Sequence, residues 1–184
     1  MAIYATEDGL IFSAEDNTTL IVGVMPNMIT DRSDADVVAV RALETAIKSG
    51  TATEEQVLEY LNVPQKGAYT YEDLNRVGLA VAYLVGRLWE HGYQIPVVMH
   101  MDWVVTDKPN EQDFARYFDN VARIRSLIPI FSTTPDAPNS VIGFDVYKAN
   151  ALEQILLDVE RILNLMRDAW FYSGDLYLAE GNYD

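Results

Sequence analysis

The chain has 184 residues, 49% apolar and 22% charged, with 13 basic and 28 acidic side chains, a formal net charge of −15 and no cysteine. That length fits one domain, or one domain with a small appendage, and a folded chain of this size buries roughly 70% of its unfolded surface without disulfide or metal staples. The lack of cysteine excludes a disulfide scaffold, thiolate metal sites and a cysteine nucleophile, and the acidity argues against nucleic acid or an anionic membrane as partner, since both recruit clustered Lys and Arg.

Met1 to Asp8 lacks the basic region and unbroken apolar run of a signal peptide. No apolar run approaches the ~20 residues that span a bilayer. The expectation is a chain made in the cytoplasm, without a signal peptide and without membrane insertion. Residues 3–6, 10–13 and 19–24 are short β-branched or aromatic-rich runs, punctuated by Asp8-Gly9 and Glu15-Asp16-Asn17. They predict a three-stranded meander within residues 1–28. Three short strands own little core. This segment is therefore expected to pack on the rest of the chain or on another chain, as an attachment or oligomerisation element.

After Pro26 the apolar period changes from two to about 3.6. Ser33 caps a predicted helix with Val37, Val40, Leu43 and Ile47 on one face, stopped at Ser49-Gly50. Thr53-Glu54-Glu55-Gln56 is a capping box that opens a short helix ending before Pro64. Thr70 caps a long helix with a stripe of Leu74, Val77, Val81, Leu84, Val85 and Leu88, closed at His91-Gly92. Residues 96–105 read as extended. A helix over 110–128 points Phe114, Phe118, Val121 and Ile124 inward, and a loop with Pro129, Pro135 and Pro138 follows. The last helix, about 146–170, has Leu152, Ile155, Leu156, Val159 and Leu163 on its apolar face and Glu153, Asp158, Glu160, Arg161 and Arg167 on its polar face. Asp175 to Leu178 reads as a strand between Gly174 and Gly181, and the strand-forming ends of the chain are expected to meet. The fold class is mainly α: a helical bundle of three long helices plus two shorter, with short β elements at the N- and C-termini. The division is residues 1–28, the meander, and 29–184, a helical domain ending in a short strand. Charge is expected on solvated helix faces and helix starts rather than concentrated in a site.

Little in the chain points to catalysis. His91 falls at a helix end, where a cation complements the dipole. His100, in an alternating run beside Asp102, is accompanied by no nucleophile motif. The acidic run Asp31 to Asp36 lacks the Gly and Glu of a calcium loop, and no phosphate loop is present. Glu54-Glu55 opens a helix, where negative charge is favoured. No catalytic, cofactor-binding or metal-binding residue is therefore expected, and no cofactor. Gly78, Ala82 and Gly86 recur every four residues along the long helix. Each glycine costs about 1 kcal/mol there relative to Ala, so the stripe is the candidate for a tight helix–helix contact within the chain or between subunits. Trp89 and Trp170 read as core, while Trp103 flanks an extended segment.

Five segments carry a resemblance. Ile29–Val37 (ITDRSDADV), Lys66–Val77 (KGAYTYEDLNRV), Asp102-Trp103 with Asp107–Pro109 and Arg116–Val121 (RYFDNV), Asn150–Arg161 (NALEQILLDVER) and Tyr172–Tyr177 (YSGDLY) lie in this order. Together the segments resemble prophage-encoded minor structural proteins of Gram-positive bacteria, which are tail-associated virion components. The resemblance covers about residues 29–180; residues 1–28 have no counterpart in it. It implies a virion structural protein of a phage tail, tail tip or fibre, acting through assembly with other virion proteins without catalysis, and it supplies no catalytic residue. A homo-oligomer, with a trimer as the expected state, fits such particles. The alternative it leaves open is a module binding host cell-surface glycan or protein at the tail tip, with Tyr69, Tyr71 and Trp103 as candidate surface-binding aromatics.

Overall fold

The computed structural model describes the backbone of residues 2–5, 11–13, 19–20 and 23–179, and the side chains of residues 23–169. The chain is mainly helical, and the first three helices start where the capping signals put them. Helix α1 spans Asp34–Ser49, with Ser33 and Asp36 forming a capping box and Gly50 closing it at φ 70°, a left-handed position that suits glycine. Helix α2 spans Glu54–Asn62, boxed by Thr53 and Gln56. Helix α3 spans Tyr71–Glu90, boxed by Thr70 and Asp73, and α4 spans Glu111–Leu127, boxed by Asn110 and Asp113. The Asp145 carboxylate accepts from the Lys148 amide at 2.9 Å, at the start of α5 (Val146–Ala179).

Helices α3, α4 and α5 share one core. Val77, Leu84 and Leu88 of α3 meet Phe118, Val121 and Ile124 of α4 and Leu152, Ile155, Leu156 and Leu163 of α5. Burying a side chain of this size contributes roughly 1.5–3 kcal/mol, so this cluster dominates the stability of the fold. Helices α1 and α2 stand apart from it: α1 buries only Val40, and α2 buries no residue.

The meander expected near the N-terminus is present as β1 (Ala2–Ala5), β2 (Ile11–Ser13) and β3 (Thr19–Leu20). With β4 (Val97–Val98) they form an antiparallel sheet in the order β3-β2-β1-β4, with Ile3 opposite Val97. The turn residues Asp8-Gly9 and Glu15–Asn17 lie outside the described residues, as do Thr6, Leu10 and Ile21-Val22, while Gly23-Val24, the end of the third predicted strand, is not strand.

Two expectations are corrected. The strand predicted at Asp175–Leu178 is helix: α5 continues through it to Ala179. A single Gly174 weakens a helix by about 1 kcal/mol without ending it, and no proline follows to force a stop. Residues 175–178 therefore do not pair with the N-terminal strands. The first strand finds its second neighbour in β4, from the middle of the chain.

Candidate functional site

Three of the five resembling segments supply one interior ion cluster, and Tyr117 of a fourth reaches it through Tyr69. Arg32, from the first segment, donates through Nη2 to Asp73 Oδ1 at 2.8 Å and to Glu153 Oε1 at 2.6 Å, and through Nη1 to the Ile29 carbonyl at 2.6 Å. Arg76, one turn along α3 from Asp73, donates through Nη2 to Asp73 and, at 2.8 Å, to Glu153 Oε1, and through Nε to Glu153 Oε2 at 3.2 Å. Glu153 Oε2 also accepts from the Ile29 amide at 2.5 Å. Two cations and two carboxylates balance one another. The Glu153 and Arg32 side chains are 0% and 1% exposed. Burial opposes the charge of Arg76, but the hydrogen bonds and charge of Glu153, then those of Asp73, outweigh it and hold the guanidinium firmly protonated. The Arg32 guanidinium lies 5.4 Å from the Tyr69 ring centre, and the Tyr69 and Tyr117 hydroxyls share a hydrogen bond. Burial raises both phenols well above their ordinary range, so both are neutral donor–acceptors.

This corrects the sequence reading of Glu153 and Asp158 as solvated. Both are buried, and Asp158 accepts from Thr134 Oγ1 at 2.6 Å and from Gln154 Nε2 at 2.9 Å. Glu153 follows Ala149 by four residues and precedes Leu156 by three, which places it on the apolar arc of α5. A carboxylate on that arc was the available signal.

Three asparagines from the same segments act alike. Asn150 accepts from the Arg32 amide at 3.1 Å and donates to the Arg32 carbonyl at 2.8 Å. Asn75 makes the same pair of bonds with Trp103, both at 2.9 Å. Asn120 does so with Val98, at 3.2 and 2.7 Å. Each amide presents one acceptor and one donor to one residue's backbone, as a neighbouring strand would, and so fastens an extended segment to a helix. Nothing in the spacing distinguishes such an Asn from a solvated one, and sequence reasoning missed all three.

Gly67 serves the same packing. A Cβ there would collide with the Asp36 carbonyl, so the approach of this loop to the start of α1 requires glycine. Gly78, Ala82 and Gly86 are all buried. The partner of Gly78 is not a helix, however. A Cβ on it would lie 2.9 Å from Met101 Cγ and 3.1 Å from the His100 carbonyl, because the extended segment after β4 runs back along α3.

The candidate aromatics do come together. Tyr69, Tyr71 and Trp103 line one groove of about 520 Å³ between the end of α2 and the loop after Trp103. They are not freely exposed, as expected of surface contacts. Trp103 is buried at 9%, and Tyr69 packs edge-on to Phe144 with ring centres 5.0 Å apart. Beside this groove, His100 lines a smaller hollow of about 300 Å³. Its ring stacks on Trp103 at 3.8 Å, and its Nε2 lies 3.1 Å from Asp102 Oδ1. Among the described residues no Ser, Thr or Lys lines this hollow, and Tyr117 there is engaged with Tyr69. At His91 the backbone closes α3: the His91 amide donates to the Leu88 carbonyl at 3.1 Å and the Gly92 amide to the Trp89 carbonyl at 2.9 Å.

Among the described residues, no group of three or more His, Asp or Glu is placed to hold a metal ion, and no helix is long and apolar enough to cross a membrane. Compared with family models, curated proteins and solved structures, the chain matches none of them.

Proposed function

We propose that the chain is a structural protein of a phage tail or tail-like particle, associated with the tail, its tip or a fibre, and that it works by assembly with other virion proteins without catalysis. The observation that carries this reading is the convergence of three of the resembling segments on Arg32, Asp73, Arg76 and Glu153. Their charged residues and asparagines join backbone to backbone, which is the work of a scaffold. In this reading α3, α4 and α5 form the rigid helical bundle. Residues 1–28 contribute an attachment or oligomerisation element, and a homotrimer is the expected state, made in the host cytoplasm and carried in the virion.

The experiment is to induce a host carrying the gene, purify tail particles and identify their proteins by mass spectrometry. The chain is expected among them, and particles that lack it would overturn the proposal.

A second reading, host-surface glycan or protein binding at the tail tip, draws on the single groove that Tyr69, Tyr71 and Trp103 line. Glycan-array binding that is lost in Tyr71→Ala would favour it.

A further inference from the structure

Helix α2 has only nine residues and buries none of them, although both ends of its first turn are boxed. Isolated helices shorter than about 12–15 residues are marginal in water. Helix α1 supplies one side, where Val57 and Tyr60 are half-buried and the Tyr60 hydroxyl donates to Glu44 at 3.1 Å, and among the described residues the other side is left open. Its outer face carries Leu58, 52% exposed, and Leu61, 70% exposed, one turn apart, and Val63 follows at 51%. Across the groove stand Val104 and Val105, the latter 79% exposed. Val63 belongs both to this groove and to an open hollow on the other side of α2, so the apolar strip is continuous from one to the other.

The rim is of one sign. Glu54, Glu55 and Glu59 line the hollow, and Glu72 and Asp107 line the groove, while no Lys, Arg or His lines either. Among the described residues none of these five carboxylates is in a salt bridge. Elsewhere on the surface the basic side chains are mostly spent on neighbouring acids, as in Lys48–Glu44, Arg116–Asp113 and Arg123–Asp119.

We infer that this strip is the docking surface for a segment of a neighbouring protein in which aliphatic residues alternate with Lys or Arg. The inference rests on the assembly reading and names the chemistry of the partner. Aliphatic side chains fill the space between Leu61 and Val105, and the cations meet carboxylates that have no other ionic partner. Such complementarity sets the register of docking and excludes acidic competitors. A second copy of this chain is a poor occupant, because it brings the same charge of −15 to the contact.

The test is to titrate the full chain calorimetrically with a synthetic peptide of alternating Leu and Lys. A Leu/Glu peptide, a Gly/Lys peptide and a set of neutral glycans are run beside it. Only the Leu/Lys peptide is expected to bind, and its binding is expected to weaken near 1 M salt, where the screening length is about 3 Å. Leu61→Ser with Val105→Ser, and separately Glu54→Gln with Glu55→Gln and Glu59→Gln, should each weaken it by about tenfold. All five positions are exposed, so unchanged circular dichroism is expected to accompany the loss. The remote set Asp119→Asn, Asp136→Asn and Asp168→Asn should change binding less than about twofold. Equal losses from the remote and rim sets, equal binding of the Gly/Lys peptide, no binding at all, or glycan binding that the Leu/Lys peptide does not displace would each overturn the inference. So would undiminished incorporation of the Leu61→Ser/Val105→Ser chain into tail particles. That last result leaves the assembly reading standing, whereas absence of the unaltered chain from particles overturns the assembly reading itself.

Discussion

Glu153 takes hydrogen bonds from the Ile29 amide, Arg32 and Arg76 while exposing none of its surface. Removing charges from water is expensive, and the pairing returns that cost only if every partner stays in place. Its neighbour Arg32 already carries a strain of this kind, because Arg32 Nε is buried without a hydrogen-bond partner among the described residues. Glu153→Gln leaves two guanidiniums facing Asp73 alone. It is expected to destabilise the fold by about 3–5 kcal/mol, read as a lower denaturant midpoint, and a loss below about 1 kcal/mol would show that the cluster is not a keystone. At the other extreme, Asp36 is a solvent-facing cap. Hydrogen bonds first from the Ser33 hydroxyl and then from its amide hold the Asp36 carboxyl below the usual range. A depressed carboxyl stabilises the folded state above its unfolded pKa, and that contribution fades as pH falls through the lower, folded value. NMR titration of the Asp36 carboxyl carbon should therefore have its midpoint below about 3.9, the unperturbed aspartate value, and Ser33→Ala should move it back up. A midpoint at the ordinary value in both proteins would dismiss the cap. Of these residues, Asp36 and Ser33 were legible because capping is a local rule with fixed spacing. Arg32 and Asn150, 118 residues apart in the chain, were not, because their meaning lies in a contact that no local spacing encodes.

Between elements, the starts of α1, α2 and α3 were legible for the same reason, and the helix partners were not. Helices α3 and α5 run in the same direction. Arg76 meets Glu153, Tyr83 meets Glu160 and Arg87 meets Asn164, each pair 77 residues apart, so both helices advance together in steps of seven and four. Those steps bring the same stripe of each helix back to the contact. Parallel neighbours need a long crossover, and here residues 91–145 supply it, laying β4, Trp103 and α4 against α3 on the way. That return explains the small residue at Gly78, which sequence reasoning assigned to a helix–helix contact. It also explains why loop-to-helix contacts carry so much of the fixing. Gly67→Ala tests one of them: a methyl group there meets backbone rather than a flexible side chain. Overpacking of this kind typically costs 1–3 kcal/mol, so the melting temperature should fall by roughly 5 °C. An unchanged melting temperature would show that the loop does not press on α1.

For the whole molecule, the charge of −15 acquires two distinct uses. Inside, carboxylates are neutralised within the Arg32–Asp73–Arg76–Glu153 cluster, contrary to the expectation that charge avoids concentration. Outside, carboxylates that form no salt bridge among the described residues fringe the apolar strip from Leu58 to Val105. Amphipathic period reveals which face of a helix is apolar, but not whether the same chain covers it. Among the described residues α3 and α5 are covered, whereas α2 is covered only on the side that faces α1. A stable helical core with a poorly covered arm is what an assembly component requires, since the core keeps its shape while the arm offers surface to a neighbour. The assembly claim is tested most directly by counting copies of the chain per purified tail particle, by quantitative mass spectrometry against a known tail component. A fixed whole-number ratio that survives high-salt washing, a multiple of three for the expected trimer, is the predicted result. Trace amounts that vary between preparations and wash away would contradict it.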